Sequence, residues 1–321
     1  MLRVEPWASV RPLEMRALQE AEIARWRTDL HWDTSGLWAT LDHARLDGRL
    51  PGVVVRGGDG TLRGHAYWVI RAGEVHCGAM TADAPAATAA LVEAVLDART
   101  GAARPRVVLF AFASAPGLDG ALAAAGFERS SYEYLSAPLP VATAAAGPAP
   151  GRPWDVRDLE ATADLLRASY PAHEPSRPFA PTGRRTEWQQ YVGDLVLGAG
   201  CGTFRPSWSI AVPGEDQALD GVALVTLVGG GTAHLAQLAV RPSYRKAGLA
   251  TAMVAAASAR ARAAGCDRLT LLVGRDNLIA RRLYARLGFA QVGEFVSAVR
   301  PGDPGAAARG DARQAGVSRA D

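Results

Sequence analysis

The sequence predicts an α/β protein built from two tandem copies of one fold, and three observations carry that prediction. Apolar runs of strand length alternate with amphipathic stretches of helix length, which is the pattern of helices packed on a central sheet. With 321 residues, 49% of them hydrophobic and 21% charged, the chain has apolar material for two domains of ordinary size. The first half also returns in the second. Ser9-Val-Arg-Pro-Leu-Glu14 is echoed by Asp155-Val-Arg-Asp-Leu-Glu160, Leu62-Arg-Gly-His-Ala66 by Leu219-Asp-Gly-Val-Ala223, Arg106 with its apolar run by Arg268, and Gly126-Phe127 by Gly288-Phe289.

In order along the chain, Leu2 to Val10 reads as a strand, and Pro12 to Arg27 as an amphipathic helix with Leu13, Leu18 and Ile23 among charges. A second helix is expected after the tryptophan-rich turn. Val53 to Val55, His65 to Ile70 and Val107 to Phe112 read as strands, with a helix from about Ala86 to Arg99 between the last two. The tryptophans at 26, 32 and 38 are spaced by six and read as core between the first two helices rather than as a base-stacking surface. From Pro138 to Pro153 the composition turns to Pro, Ala and Gly, as in an exposed linker. The expected organisation is a first domain over 1–140, a linker over 141–153, a second domain over 154–300, and a disordered Gly/Ala/Arg/Asp tail over 301–321.

The echoes are not evenly offset. The offset is 146 at Ser9/Asp155, 157 at Leu62/Leu219 and 162 at Arg106/Arg268 and Gly126/Gly288, so the second copy is longer in two places. The later insertion falls on Val240-Arg-Pro-Ser-Tyr-Arg-Lys-Ala-Gly-Leu-Ala250, a strand end, a tight turn and the opening of an alanine-rich helix running from Leu249 to Ala264. Small residues there let backbone N–H groups of Arg245, Lys246, Ala247, Gly248, Leu249 and Ala250 converge at a helix N-terminus, a phosphate-binding arrangement. The first copy has Met80-Thr-Ala-Asp-Ala-Pro85 in that interval, without the arginine or the glycine.

Composition narrows the partners. A formal charge of +3, from 35 basic and 32 acidic residues, supports no general affinity for nucleic acid or anionic membranes. Cys77, Cys201 and Cys266 lie far apart, which fits a reducing cytoplasm and neither a disulfide scaffold nor a zinc site, so no metal is expected. No basic start followed by an apolar core opens the sequence, and its apolar runs are broken well short of a membrane span. Gly-x-Ser-x-Gly, His-Glu-x-x-His, Walker and Cys-x-x-Cys motifs are all missing.

Two motifs in order, Val240-x-Pro242 with Tyr244-Arg245-x-x-Gly248-x-Ala250 and then Asn277-x-x-Ala280-x-x-Leu283-Tyr284-x-x-Leu287-Gly288-Phe289, resemble the GNAT superfamily of acyl-CoA-dependent N-acyltransferases. The resemblance covers the second half from its first strand to its last. It implies two tandem GNAT-like domains, each a mixed, mostly antiparallel central sheet flanked by helices, with the first copy degenerate. It also implies acetyl-CoA as acyl donor, and a small-molecule or peptide amine as acceptor, in a monomer or homodimer. In the family the strand before the loop is bulged and splayed so that pantetheine pairs with it, a role that would fall on Leu238, Ala239 and Val240. Direct attack of the amine is implied, with the backbone N–H near Leu238 polarising the thioester and Tyr284 protonating the departing thiolate.

Asn277 and Tyr284 are seven residues apart, so both can face the cofactor from one helix; the alternative is a helix cap and a core aromatic. Where some members of the family carry a basic glutamate, this chain has His234, readable as an exposed general base or as a hydrogen-bonded strand residue. His173 and Glu174 are weaker base candidates, and Gln237 either orients an acceptor or satisfies a strand edge. In the first half Leu122 stands at the tyrosine position and no asparagine match exists. Enzymatic N-acetyl transfer is the function implied, against a non-catalytic acyl-CoA-binding regulatory protein with the same fold and a transfer-RNA-directed acyltransferase that would need a strongly basic face.

Overall fold

A computed structural model of the chain describes residues 1–71, 73–98, 104–113, 115–142, 150–170, 179–180, 182–198 and 201–302. His173, Glu174, most of the expected linker and nearly all of the expected tail lie outside them. The described residues form two compact units. One comprises Met1–Ala24, Ser35–Ser131 and the segment from Glu294 on, the other Arg25–Thr34 and Tyr132–Gly293.

The elements run in order as β1 (Arg3–Pro6), α1 (Pro12–Leu30), α2 (Ser35–Leu46), β2 (Gly52–Arg56), β3 (Leu62–Arg71), β4 (Glu74–Ala82), α3 (Pro85–Leu96), β5 (Val107–Phe112), α4 (Leu118–Ala124) and β6 (Glu128–Pro138). They continue as β7 (Arg152–Pro153), α5 (Leu159–Ser169), α6 (Arg185–Val196), β8 (Thr203–Phe204), β9 (Ile210–Pro213), β10 (Leu219–Leu227), β11 (Thr232–Val240), α7 (Leu249–Ala263), β12 (Arg268–Gly274), α8 (Leu278–Arg286) and β13 (Ala290–Arg300). Among the described residues no helix is long and apolar enough to cross a membrane.

In the first unit the strand order is β1-β2-β3-β4-β5-β13, antiparallel except for β4 against β5. Side-chain alternation splits the strands between two cores. Val55, Ala66, Val75 and Leu109 pack under α3 with Leu91, Val92 and Val95, while Val54 and Tyr67 face Trp7, Met15 and Trp38 on the other side. The expected strand to Val10 stops at Pro6, which has no N–H for the ladder; Trp7–Ser9 then coil into a 3-10 turn that lets the Trp7 indole donate to Leu50 O at 2.8 Å. The strand β4 was not visible as an apolar run. Its core face is made of Val75, Cys77 and Met80, with Gly78 bulged out under the Tyr67 ring.

In the second unit the order is β6-β12-β11-β10-β9-β7, with β8 also on β10 and only β11 against β12 parallel. Trp154, Leu166, Trp188 and Leu224 fill the face under α5 and α6; Met253, Val254, Ala257, Leu271 and Tyr284 fill the face under α7 and α8. Close packing of α7 depends on Gly221, where a Cβ would stand 2.9 Å from Met253 Sδ.

The copies match element for element: β3-β4-α3-β5-α4-β6 repeats as β10-β11-α7-β12-α8-β13. Gly126 and Gly288 both turn the chain out of a helix at positive φ, +75° and +85°. Each copy's last strand, however, completes the other unit's sheet. Tyr132–Pro138 of β6 pairs with β12, and Phe295–Arg300 of β13 pairs with β5.

Candidate active site

The site is built where β11 leaves β12. Their pairing runs only from Thr232/Arg268 to Leu235/Leu271, after which β11 continues to Val240 against β10 alone. At that point the register with β10 shifts, Leu224 facing Gln237 and Val225 facing Leu235, so Ala236 is the extra residue of a bulge. Beyond it, Arg241 N–H donates to Asp220 O on β10 at 2.9 Å. Backbone direction alternates along a strand, so Leu238 and Val240 turn theirs to the open edge. The carbonyls there accept from side chains: Leu238 O from Tyr170 Oη at 3.4 Å, and Val240 O from Ser169 Oγ and Arg245 Nε, both at 3.4 Å. The Leu238 and Val240 side chains pack toward α7 and Ala239 toward α5, leaving the edge itself as backbone.

The turn after β11 ends on Gly248, the N-cap of α7, with φ +82° and no side-chain cap. Lys246 also has positive φ, +68°, a conformation that L residues adopt at a cost of roughly 1–2 kcal/mol. Such alternation turns successive N–H groups toward one point, and the first N–H groups of α7 have no partner within the helix. Residues 242–248 are exposed, and a Cβ on Gly248 would meet nothing within 4 Å. Arg245 holds the turn to the end of α5, its Nη2 donating to Ser169 O at 2.9 Å. The loop, the uncapped helix start and the open strand edge therefore form one backbone-lined surface suited to an anion and an extended, amide-bearing chain. By contrast, the first copy passes from Ala82 to Pro85, the start of α3, with no room for such a turn.

Tyr284 lies on the inner face of α8, 6% exposed and edge-on to Phe289 at 5.6 Å. Burial pushes its phenol well above the ordinary range, and neighbouring Tyr170 adds to the shift, so the hydroxyl holds its proton at neutral pH. Asn277 is exposed at the N-cap of α8, its Oδ1 accepting Ala280 N–H at 3.1 Å; in this state its side chain is used as a helix cap.

His234 departs from the exposed imidazole expected of a base. It is 2% exposed, stacked on Tyr134 at 5.9 Å and against Trp32 at 5.6 Å, with Nδ1 3.0 Å from Thr270 Oγ1. Desolvation lowers its pKa to about 4. Trp32 is thus beside the second copy's strand, while Trp38 fills the first unit's core.

Two tyrosines not singled out by sequence complete the edge. Tyr170, the C-cap of α5, donates to Gln237 Oε1 at 2.8 Å, and Tyr191 on α6 donates to Ala236 O at 3.5 Å. Burial pushes the Tyr191 phenol well up, partly offset by a hydrogen bond to Gln237. Tyr170 follows an amphipathic helix in a way common to many core aromatics, so only its place beside the bulge marks it. Among the described residues no group of three or more His, Cys, Asp or Glu side chains is placed to hold a metal ion.

A sheet split at a bulge beside an uncapped helix defines an α/β domain with an open strand edge next to a helix N-terminus. Residues 159–289 match the model of the acetyltransferase (GNAT) family, and this segment is a GNAT domain. No curated protein matches the chain. Among solved structures, a GCN5-related N-acetyltransferase from Sphaerobacter thermophilus superposes with TM-score 0.62 at 16% identity, over 93% of this chain and 95% of the other. A tandem GNAT protein from the clavulanic acid biosynthesis pathway gives 0.52 at 16% identity, over 94% and 98%. A GNAT-family acetyltransferase from Colwellia psychrerythraea gives 0.51 at 13% identity, over 93% and 100%. These likenesses establish the fold, and all three extend it over both copies at nearly full length.

Proposed function

We propose that the second half is an acyl-CoA-dependent N-acetyltransferase, moving an acetyl or short acyl group to the amine of a small molecule or peptide by direct attack. The observation that carries this reading is the open edge of β11, with Leu238 and Val240 turned away from β10 directly before the Lys246–Gly248 turn. Acyl-CoA held there would supply an activated acyl carbon as its thioester. Leu238 N–H would face the carbonyl oxygen, the Val240 backbone the pantetheine amides, and the turn the pyrophosphate. As the amine nitrogen bonds to the acyl carbon, the C–S bond breaks. Tyr284 protonates the leaving sulfur and is restored by the proton released from nitrogen.

His234, neutral down to about pH 4 and shielded by two rings, is too weak a base to strip an alkylammonium, so the amine enters this reading already deprotonated. The same burial favours the second reading, an acyl-CoA-binding protein without turnover. Acetyl-CoA binding and thiol release, measured across a panel of amines, separate the two. Thiol release above hydrolysis with any amine supports transfer; binding with none supports the regulatory protein.

A further inference from the structure

We infer that Gln237 is a gate on the acyl-carbonyl position, its side-chain amide occupying the Leu238 N–H at rest and yielding it only to an acyl group. This inference rests on the donor-site reading above and concerns the regulation of that site. Gln237 Oε1 accepts Leu238 N–H at 3.2 Å and Tyr170 Oη at 2.8 Å. A glutamine on a strand points away from the sheet plane, so reaching the next residue's N–H means folding back over the open edge. Ordering such a side chain costs up to about 2 kcal/mol of rotamer entropy, and an N–H at a wet edge could bond water instead. The fold is held because Tyr170 is itself fixed, stacked on the buried Trp188 at 5.4 Å and 26°. Tyr191 Oη on α6 donates to the neighbouring Ala236 O at 3.5 Å.

The Leu238 N–H is the one that the thioester oxygen needs, and a carboxamide oxygen is a close chemical stand-in for it. An arriving acyl carbonyl replaces one acceptor by another at the same donor, and the displaced amide stays on Tyr170. Free coenzyme A has a thiol and no carbonyl at that place, so it leaves Gln237 where it is. After transfer the N–H loses the acyl oxygen, Gln237 returns, and the product is held less tightly than the donor was. No base or metal is needed, since only hydrogen bonds exchange.

Equilibrium binding of acetyl-CoA and of coenzyme A to the full chain, Gln237→Ala and Gln237→Glu tests this. Removing the amide is expected to raise acetyl-CoA affinity about three- to tenfold, the worth of one hydrogen bond, and to leave coenzyme A affinity unchanged. Gln237→Glu should move acetyl-CoA affinity the opposite way, because a carboxylate holds the N–H more strongly. An unchanged ratio of the two affinities across all three proteins overturns the gate alone. Failure of either ligand to bind the unmodified chain overturns the donor site and the gate with it.

Discussion

Tyr134 stacks on His234 with ring centroids 5.9 Å apart and planes 12° from parallel, although one belongs to the last strand of the first half and the other to the middle of the second. The pair is covered by Trp32, and Thr270 takes the imidazole Nδ1. An imidazole so enclosed is kept neutral because no water reaches it to solvate a charge.

Acid stability follows from that enclosure. With the folded pKa depressed to about 4 from 6.5, the unfolded chain binds the extra proton between those values, so the contribution is whole above pH 6.5 and lost as pH falls toward 4. Its size is of order 3 kcal/mol at most. Urea unfolding of the parent and His234→Phe should show a shallower pH dependence in the variant over that window; equal slopes would place the acid sensitivity elsewhere.

Tyr284→Phe keeps the ring against Phe289 and removes only the hydroxyl. Thiol release at saturating donor should fall by about 10²–10³, within the usual range for a positioned acid, with the melting temperature nearly unchanged. A variant as fast as the parent would remove Tyr284 from the chemistry.

At Gly248 two substitutions separate conformation from ligand contact. Gly248→Ala strains the φ of +82° and should cost about 1 kcal/mol of stability with modest loss of donor binding. Gly248→Glu carries the same strain and sets a carboxylate at the helix start, so acetyl-CoA affinity should fall more than tenfold further. Equal affinities in a titration of the two variants would mean that no phosphate sits there.

Asn277→Ala distinguishes a cap from a ligand contact. Loss of the bond to Ala280 N–H should lower stability by about 1 kcal/mol. If the side chain also meets the donor, acetyl-CoA affinity drops as well; if it serves α8 alone, the binding isotherm overlays the parent's.

Much of this was legible in the chain because it depends on local pattern. The apolar run Val107–Phe112, the alanine-rich run after Leu249 and the glycine at 248 each name an element or a turn without help from elsewhere. The offset between Arg106 and Arg268 foretold the extra turn, since β4 meets α3 almost at once where β11 needs Arg241–Gly248 to reach α7. Illegible were the features made by distant partners. His234 reads equally as an exposed base or a strand histidine until Tyr134 and Trp32 close over it. The gate needs Tyr170 from α5. The strand β4 hid because Cys77, Gly78 and Met80 replace the β-branched run that marks a strand. Nor can a period of two say which sheet a strand will join, so the sequence of β6 and β13 is the same whether they stay or exchange.

That exchange bears on how the protein is made. On the ribosome, β5 emerges long before Phe295–Arg300, its antiparallel neighbour, so its apolar ladder stays uncovered while the second half is made. Tyr132–Pro138 likewise waits for β12. A cut in the stretch between the copies would therefore leave two pieces that each hold a strand of the other's sheet. The nascent chain keeps the β5 edge open until Phe295–Arg300 has been made.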